Sequence, residues 1–467
     1  MEKFDLVVIG SGPGGYPAAI RAAQKNLKTA LIEEADLGGT CLNRGCIPSK
    51  ALIASAEMWH QISTTAKDFG IKVEQASFDY SAMVERKDQI VAKIRKSLKG
   101  LIESHGVQII QGKAQFLSPK EIKINGPQEK TILAEKIIIA TGSEPRIIPL
   151  FPVDGKRIHD STSLLQMKTL PKSLIVIGGG VIGCEFASLY HHLGVEVTIF
   201  ELMDRLLPVE CLDVSKALIQ NFKRRGIAIH TNAHIAEMEQ KNDRVHLLLK
   251  SGQRFEADMV LVSVGRKINS DCLGLDKAGI STDKDGSIQI NNMMETNVPG
   301  IYAIGDLTGK WWLAHVATHQ GLIAADNCCG EKKLFRSEAV PSVIFTDPEI
   351  ATVGLSPEKA KEAGHEVSVG RFPFQALGRS LASNHPEGFA QIVSDKKTGQ
   401  ILGGQVVGYQ ASTLISEISL AIENELVVES IMETIHPHPT LSEAWLEAAF
   451  LAANLPLHMP PQKEKTS

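Results

Sequence analysis

Two cysteines, Cys41 and Cys46, lie within residues 38–50 with four residues between them. A disulfide needs Cα atoms about 4.4–6.8 Å apart, whereas residues i and i+5 of a regular α-helix are roughly 8–9 Å apart. Gly45, directly before Cys46, can adopt the irregular dihedral angles that bring the two cysteines together. The stretch therefore predicts a bent helical turn built to open and close one disulfide. Two ordinary buried thiols would also fit these residues taken alone.

The elements on either side of this stretch indicate nucleotide binding. Apolar runs predict strand, helix and strand at residues 4–9, 16–25 and 29–32. A G-x-G-x-x-G motif between the first strand and the helix consists of Gly10, Gly12 and Gly15. Such glycines let a pyrophosphate approach the backbone at a helix N-terminus. Glu33 follows Gly10 by 23 residues, where a carboxylate can accept a ribose hydroxyl. A loop that binds no ligand is the alternative for the glycines alone.

The same pattern occurs a second time. Its glycines are Gly178, Gly180 and Gly183, and its acid, Glu201, again follows the first glycine by 23 residues. The two glycine motifs are 168 residues apart, but the later repeated segments at residues 106–109 and 226–229 are only 120 apart. The first copy therefore carries 48 extra residues, and these include both cysteines and Lys50. We interpret the chain as two nucleotide-binding units with a redox pair inserted into the first.

The rest of the chain divides into helical and strand-rich segments. Residues 82–104 predict a long helix with a packing stripe of Met83, Ile90, Ile94, Leu98, Leu101 and Ile102. Residues 389–394 and 401–407 predict a hairpin in a final segment that has no glycine motif. Residues 460–467 are polar and are predicted to be disordered.

Composition excludes several classes of protein. The chain has 467 residues, 43% hydrophobic and 22% charged, and a net charge of −4, so it has no nucleic-acid-binding charge excess. No apolar run reaches the length of a membrane span. The N-terminus shows no targeting region or cleavage site. The seven cysteines do not resemble a secreted disulfide framework, and a close pair in a reducing compartment favours a catalytic or redox-sensing role.

Together these residues resemble the pyridine nucleotide-disulfide oxidoreductase family over nearly the whole chain. The motifs that carry the resemblance are G-G-T-C-L-N-R-G-C-I-P-S-K at 38–50, G-G-G-V-I-G-C-E at 178–185, Y-A-I-G-D at 302–306 and H-P-H-P-T-L-S-E at 436–443. Two departures are Arg44, where members often have valine, and the pair Trp311-Trp312. Ile47-Pro48-Ser49-Lys50 differs from glutathione reductases, and the last ten residues lack the terminal cysteine pair of mercuric reductases.

The resemblance implies two cofactors, FAD and NAD. It assigns to FAD the residues Gly10, Gly12, Gly15, Glu33, Lys50, Ala114, Gly142, Asp306, Trp312, Leu313, Ala314 and His315. It assigns to NAD the residues Gly178, Gly180, Gly183, Glu185, Glu201 and Gly265. Glu185 is expected to pair with Lys50 beside the flavin, although a solvated helical carboxylate is its default interpretation from sequence alone. No metal site is predicted.

The resemblance also implies the reaction. Cys41 exchanges with the thiol of protein-bound dihydrolipoamide, Cys46 faces the flavin, and His438 collects protons while Glu443 fixes its tautomer. His436 is the competing histidine, and the spacing to the acid in the family pattern selects His438. Lipoamide and NADH are the products. The alternatives are a reductase of another disulfide or of a quinone, and a redox sensor without catalysis.

The predicted fold class is α/β, with two Rossmann-like domains and a C-terminal α+β dimerisation domain. The predicted division is an FAD domain at 1–147, an NAD domain at 148–275, a segment returning to the FAD domain at 276–340, and an interface domain at 341–467. The expected assembly is a homodimer that serves lipoyl-bearing acyltransferases or glycine cleavage carriers. The expected location is the bacterial cytoplasm, or the mitochondrial matrix for a processed organellar form.

Overall fold

A computed structural model describes residues 1–127 and 129–461. Most of the tail predicted to be disordered, residues 462–467, therefore lies outside the described residues. No described helix is long and apolar enough to cross a membrane.

The first unit is built around a seven-stranded sheet. Its elements are β1 (Glu2–Ile9), α1 (Gly15–Gln24), β2 (Thr29–Glu33), α2 (Gly39–Arg44), α3 (Cys46–His60), α4 (Tyr80–Ser104), β3 (Gln108–Gln111), β4 (Lys113–Ser118), β5 (Glu121–Asn125), β6 (Lys130–Ile139) and β7 (Ser143–Pro145). Six of its strands follow the order β3-β2-β1-β6-β5-β4, the seventh comes from residues 301–303 and pairs with β6, and β7 lies outside this sheet. Strand β1 lies parallel between β2 and β6 and is buried from Leu6 onward, as its apolar run predicts.

The second unit repeats the arrangement. Its elements are β8 (Ile158–His159), α5 (Ser161–Leu164), β9 (Ser173–Ile177), α6 (Val181–His192), β10 (Glu196–Phe200), α7 (Leu212–Arg225), β11 (Ala228–His230), β12 (Ile235–Lys241), β13 (Arg244–Leu249), β14 (Arg254–Ala257), β15 (Met259–Val262) and β16 (Arg266–Ile268). Its main sheet has the order β11-β10-β9-β15-β8 and is parallel. Strands β12, β13 and β14 form a separate antiparallel meander.

The chain then rejoins the first sheet. Strand β17 (Ile301–Ala303) pairs in parallel with β6, and α8 (Ala314–Cys328) follows it. Strand β16 from the second unit pairs with β7 from the first, so a two-stranded ribbon joins the two units. The division of the chain by residue number given above stays a prediction.

The last unit is an antiparallel sheet covered by helices. Its elements are β18 (Pro341–Ile344), β19 (Ile350–Gly354), α9 (Pro357–Glu362), β20 (Val367–Pro373), α10 (Gly378–Ala382), β21 (Phe389–Asp395), β22 (Ile401–Val407), α11 (Ala411–Glu423), α12 (Val428–Glu433) and α13 (Glu443–Ala452). The strand order is β18-β19-β22-β21-β20, and β21 and β22 form the predicted hairpin. The fully buried Trp445 on α13 donates its indole N–H to the carbonyl of Leu414 at 2.9 Å. The predicted fold class is confirmed.

Helix α4 buries a face that only partly coincides with the one its sequence predicts. Its buried residues are Tyr80, Val84, Lys87, Val91, Leu98 and Ile102. Ile94 and Leu101, which the stripe included, are 40% and 46% exposed. The start of α4 packs in one hydrophobic core and its end in another, so two separate neighbours select the face. Lys87 can be buried in this face because its side-chain nitrogen donates a hydrogen bond to the carbonyl of Leu165 at 2.9 Å.

Candidate active site

The three glycines of the first motif have different physical roles. Gly10 has φ +97°, and a Cβ there would lie 2.4 Å from the carbonyl oxygen of Ala140. A Cβ on Gly15 would lie 1.8 Å from the carbonyl oxygen of Gly10, so this glycine lets α1 pack against the turn. A Cβ on Gly12 would have only the Cα of Gly39 within 4 Å, at 3.9 Å. Gly12 therefore leaves open space where a phosphate could approach the backbone.

The second motif has the same geometry. Gly178 has φ +103° and a Cβ there would lie 2.4 Å from the carbonyl oxygen of Ser263. A Cβ on Gly183 would lie 1.9 Å from the carbonyl oxygen of Gly178, whereas a Cβ on Gly180 meets no described atom within 4 Å. The two motifs of the internal repeat therefore make equivalent contacts at their first and third glycines. In both, the middle glycine leaves room for a ligand.

Each predicted ribose acceptor braces its own glycine loop. Glu33 accepts hydrogen bonds from the backbone N–H and the hydroxyl of Ser11, at 2.9 and 2.6 Å. Glu201 accepts from the N–H of Gly179 at 2.6 Å and from the N–H of Met203 at 2.7 Å. Both carboxylates are buried. Because each carboxylate oxygen can accept two hydrogen bonds, both retain capacity for a ribose hydroxyl.

A cavity of about 990 Å³ opens beside the first glycine loop and contains most of the residues assigned to FAD. The predicted residues that line it are Gly10, Gly12, Glu33, Cys41, Cys46, Lys50, Ala114, Gly142, Glu185, Asp306, Trp312, Leu313, Ala314 and His315. Arg44, the departure from the family pattern, lines it as well. The predicted residues that do not line it are Gly15, Gly178, Gly180, Gly183, Glu201, Gly265, His438 and Glu443. The cavity is large enough for a cofactor-sized ligand.

The two cysteines meet across a break between helices. Helix α2 ends at Arg44, Gly45 adopts φ −143° and ψ −114°, and Cys46 starts α3. A Cβ on Gly45 would come to 3.0 Å from the carbonyl oxygen of Thr40, so the break has little room for a side chain. The two cysteine side chains lie close enough for each to shift the pKa of the other. The structure therefore brings the pair together as the sequence predicts.

The surroundings distinguish the two thiols. The hydrogen bond to Cys46 and burial raise the pKa of Cys41. The hydrogen bond from Cys41 lowers the pKa of Cys46, burial opposes this shift, and the charge of Lys50 lowers the pKa further. The dithiol thus favours a thiolate at Cys46 with the proton held on Cys41.

Lys50 and Glu185 form an ion pair at the cavity wall. The Lys50 Nζ lies 2.8 Å from Glu185 Oε2 and 4.4 Å from the ring centroid of Phe345. The backbone N–H of Phe345 donates to Glu185 Oε1 at 2.9 Å. Lys50 comes from α3, Glu185 from α6 and Phe345 from the loop after β18. The pair therefore holds all three units together beside the cysteines.

Asp306 belongs to a polar group that sequence reasoning found only in part. The hydroxyl of Ser143 donates to Asp306, and Arg266 Nε lies 3.8 Å from the same carboxylate. Burial raises the pKa of Asp306, while Ser143 and Arg266 oppose that shift. Arg266 also donates to the hydroxyl and carbonyl of Ser143, at 2.7 and 2.8 Å.

A sequence signal for Ser143 and Arg266 was present. Each residue directly follows the glycine that ends one of two further similar segments, residues 138–142 and 261–265. These two positions begin β7 and β16, which pair with each other. Phe345 had no comparable signal, because its contact with Lys50 depends on the packing of separate units.

The predicted base and its acid are in contact but face solvent. His438 Nδ1 lies 2.8 Å from Glu443 Oε1, and the N–H of Thr440 donates to Glu443 Oε2 at 2.8 Å. Burial raises the pKa of Glu443, but the hydrogen bonds outweigh it and the pKa is lowered. The His438 side chain is 79% exposed and does not line the cavity of its own chain. The competitor His436 is 3% exposed and pairs with Glu417 at 2.9 Å, so it is poorly accessible.

Two family models match the chain. The model described as pyridine nucleotide-disulphide oxidoreductase matches residues 4–321, and the model of the dimerisation domain of the same family matches residues 340–449. A dihydrolipoyl dehydrogenase of Chlamydia muridarum is 53% identical, covering 99% of this chain and 100% of that protein.

Two solved structures share the fold. LpdA of Mycobacterium tuberculosis superposes with a TM-score of 0.90 at 31% identity, covering 96% of this chain and 99% of that one. The Cu(II) complex of RclA, a HOCl-induced flavoprotein disulfide reductase of Escherichia coli, superposes with a TM-score of 0.88 at 28% identity, covering 97% and 100%. Proteins with different names thus share this architecture.

Proposed function

This chain belongs to the pyridine nucleotide-disulphide oxidoreductase family, and we propose that it acts in that family as a dihydrolipoyl dehydrogenase. It oxidises dihydrolipoamide to lipoamide through Cys41 and Cys46 and reduces NAD⁺ to NADH. The observation that carries this assignment is the cysteine pair at the break between α2 and α3, placed in a cofactor-sized cavity beside the Lys50–Glu185 pair. Identity of 53% over the whole length supports the choice of substrate.

The cofactors are FAD and NAD, and the chain has a suitable loop for each. Gly12, Lys50 and Asp306 would hold FAD in the large cavity, and Gly180 and Glu201 would hold NAD at the second loop. The open space in front of each middle glycine fits a pyrophosphate. When bound, FAD supplies a two-electron carrier next to the cysteines, and NAD supplies the hydride acceptor.

The cysteines perform the exchange with the substrate. In the oxidised enzyme a dihydrolipoyl thiolate attacks the Cys41 sulfur of the Cys41–Cys46 disulfide, forming a mixed disulfide and releasing Cys46 as a thiolate. The second thiolate of the same dihydrolipoyl group then attacks the lipoyl sulfur that is bonded to Cys41. This closes the lipoamide ring and releases Cys41 as a thiolate. Two electrons pass from substrate to protein. Lys50 stabilises the Cys46 thiolate, and Cys41 takes up one of the two protons that the substrate thiols release.

The other proton requires a base, and the predicted base, His438, does not line the cavity of its own chain. His438 is oriented by Glu443 and exposed, and it lies outside the lining of its own cavity. The chain carries the family's dimerisation domain, and a homodimer would bring the partner's His438 to the cysteines. The catalytic base is therefore assigned to the opposite subunit.

Partners and location follow from the same assignment. The dihydrolipoamide is expected on the lipoyl domains of acyltransferases or on glycine cleavage carrier proteins. Bacterial relatives such as that of Chlamydia muridarum favour the bacterial cytoplasm.

Anaerobic rapid mixing of the oxidised holoenzyme with dihydrolipoamide tests the assignment. We expect fast loss of the flavin absorbance, followed by NADH formation when NAD⁺ is added. The matched experiment offers glutathione or a quinol as the reductant. Turnover with these and none with dihydrolipoamide would favour the alternative reductase, and no flavin reduction by any of them would favour a redox sensor.

A further inference from the structure

The aromatic ring of Phe345 lies against the charged group beside the redox pair. Lys50 is one helical turn after Cys46 on α3, so both side chains leave the same face of that helix. The Lys50 Nζ lies 2.9 and 2.8 Å from the two carboxylate oxygens of Glu185 and 4.4 Å from the centroid of the Phe345 ring. An aromatic face within about 6 Å attracts a cation. The ring therefore covers a side of the ammonium group that the carboxylate leaves open.

The loop that carries Phe345 is fixed along one face of α6. The N–H of Phe345 donates to Glu185 Oε1 at 2.9 Å, and the N–H of Asp347 donates to the hydroxyl of Ser188 at 3.1 Å. The carboxylate of Asp347 lies 3.1 Å from His192 Nε2. Glu185, Ser188 and His192 follow one another at spacings of three and four residues, so they lie on one face of α6. Two backbone N–H groups and one carboxylate thus set the position of the ring.

The far end of this loop is held by a second group of side chains. Arg225, the last residue of α7, donates to Asp347. The His60 ring, at the end of α3, stacks on the His192 ring with centroids 4.3 Å apart. The loop therefore contacts α6 beside the helix that carries Lys50. The packing of separate units, and not the loop alone, keeps the ring in place.

The charges that face Cys46 give this contact a chemical consequence. The hydrogen bond from Cys41 lowers the pKa of Cys46, burial opposes this shift, Lys50 lowers the pKa further and Glu185 raises it. The last two effects oppose each other, so their balance depends on where the ammonium group lies between the sulfur and the carboxylate. A lysine side chain has many rotamers and loses considerable entropy when it is held in one. A contact that restricts Lys50 therefore also fixes the charge near Cys46.

We propose that Phe345 is a positioning residue whose ring holds the Lys50 ammonium group at Glu185 and thereby sets the charge that Cys46 experiences. Phe345 lies within residues 340–449, which the family's dimerisation domain matches. In the proposed homodimer, one such domain serves two sites: that of its own chain through Phe345 and that of the partner subunit through His438. The inference rests on the proposed redox role of Cys46 and not on the identity of the substrate.

Titration of the Cys46 thiolate tests this role without substrate or NAD. The Cys41→Ser holoenzyme is the background, because its Cys46 cannot close the disulfide and stays a free thiol. Thiolate absorbance, followed from high to low pH, gives the midpoint. In this background Phe345→Leu should raise the midpoint by about 0.5 pH unit, the size expected for a cation–π contact with a partly exposed amine. The rise should be smaller than in Lys50→Gln, because the charge is displaced and not removed.

Two variants in the same background serve as controls. Phe345→Tyr keeps an aromatic face over Lys50 and should keep the midpoint of the background protein. Phe335→Leu removes a half-buried ring that does not line the cavity, and it should also leave the midpoint unchanged. The backbone N–H that donates to Glu185 is present in every Phe345 variant, so differences between them report on the ring.

A double variant shows whether Phe345 acts through Lys50. With Lys50→Gln already present, Phe345→Leu should cause no further shift. An equal shift with and without Lys50, or an unchanged midpoint in Phe345→Leu, would overturn the positioning role. A lower Tm with an unchanged midpoint would count against it in the same way, because packing alone would explain that result. If Phe345→Leu does not fold, Phe345→Met replaces it as a ring-free variant.

The titration is independent of the test of the proposed function. Failure of dihydrolipoamide to reduce the flavin would argue against the dehydrogenase, yet the midpoints would still decide the role of Phe345. An unchanged midpoint in Phe345→Leu, with normal lipoamide turnover in the protein that retains both cysteines, would reject the positioning role alone.

Discussion

The redox pair depends on a few side chains whose individual effects can be separated. Cys41→Ser and Cys46→Ser should each abolish lipoamide turnover while FAD stays bound, because neither thiol is needed to form the cavity. NADH should still reduce the flavin in both variants. Absorbance spectra and lipoamide assays measure the two activities, and Cys211→Ser is the matched control because Cys211 is half-buried and does not line the cavity of the pair. Normal lipoamide activity in either active-site variant would refute the redox-pair interpretation.

Lys50 is expected to control the ionisation of Cys46. Its positive charge lowers the pKa of Cys46, whereas Glu185 raises it. Lys50→Gln removes the favourable charge and leaves Glu185 unpaired, so the pKa should rise and the thiolate should disappear at a higher pH than in the wild type. Ultraviolet thiolate absorbance of the reduced enzyme, titrated from high to low pH, measures the midpoint. The surface variant Lys96→Gln should leave the midpoint unchanged, and a lower midpoint in Lys50→Gln would contradict this electrostatic account.

Glu201 is expected to select NAD over NADP. A carboxylate at the end of the strand accepts a ribose 2′-hydroxyl and repels a 2′-phosphate. Glu201→Gln should lower the ratio of kcat/KM for NAD to kcat/KM for NADP. Glu196→Gln, at an exposed position of β10, is the control. The structure adds a second effect, since Glu201 also binds the N–H of Gly179. Some loss of affinity for both nucleotides is therefore expected in Glu201→Gln. Equal kcat/KM for NAD and NADP in the wild type would contradict the proposed selection of NAD.

At the scale of elements, the glycines within one Rossmann motif differ in whether a side chain would fit. Gly183→Ala places a methyl group 1.9 Å from the carbonyl oxygen of Gly178, so it should destabilise the protein by about 3 kcal/mol or more. Gly180→Ala meets no described atom within 4 Å and has φ −76°, so the protein should fold normally. Its methyl group should instead raise the KM for NAD, because it enters the space predicted for the pyrophosphate.

Thermal denaturation and NAD kinetics on both glycine variants check this division. Normal NAD kinetics in Gly180→Ala would contradict the assignment of NAD to the second glycine loop. A Gly183→Ala protein as stable as the wild type would show that α6 can shift away from its strand.

At the scale of the whole molecule, the exposed His438 points to a site shared between two chains. Coexpression of Cys46→Ser with His438→Ala, carrying different tags, permits purification of the heterodimer. One of its shared sites would carry both defects, and the other would pair an intact Cys46 with an intact His438. The heterodimer should show about half of the wild-type activity if the sites act independently.

The parent homodimers provide the controls for this experiment. Each should be close to inactive, because every site in a parent carries one lesion. Heterodimer activity no higher than that of the parents would mean that each chain builds its own complete site.

Much of this protein was determined by local sequence. The glycine motifs and the apolar strands predicted two nucleotide-binding units, and the family motifs predicted the fold class and the dehydrogenase function; the comparisons confirm the fold class and the function. These features are readable because tight turns, helix N-termini and buried strands place strong demands on single residues over short distances. The roles of the individual site residues and the boundaries of the domains stay predictions.

Only the tertiary structure decided which distant residues meet. The buried face of α4, the contact of Phe345 with Lys50, and the convergence of His60, His192, Arg225 and Asp347 depend on how separate units pack. The family motifs indicated His438 and Glu443 as a pair in a site shared between two chains, and the structure shows His438 exposed outside the cavity of its own chain. Spacing along a chain fixes contacts within an element. Contacts between elements follow from the shapes and charges of whole surfaces, which a linear pattern does not encode residue by residue.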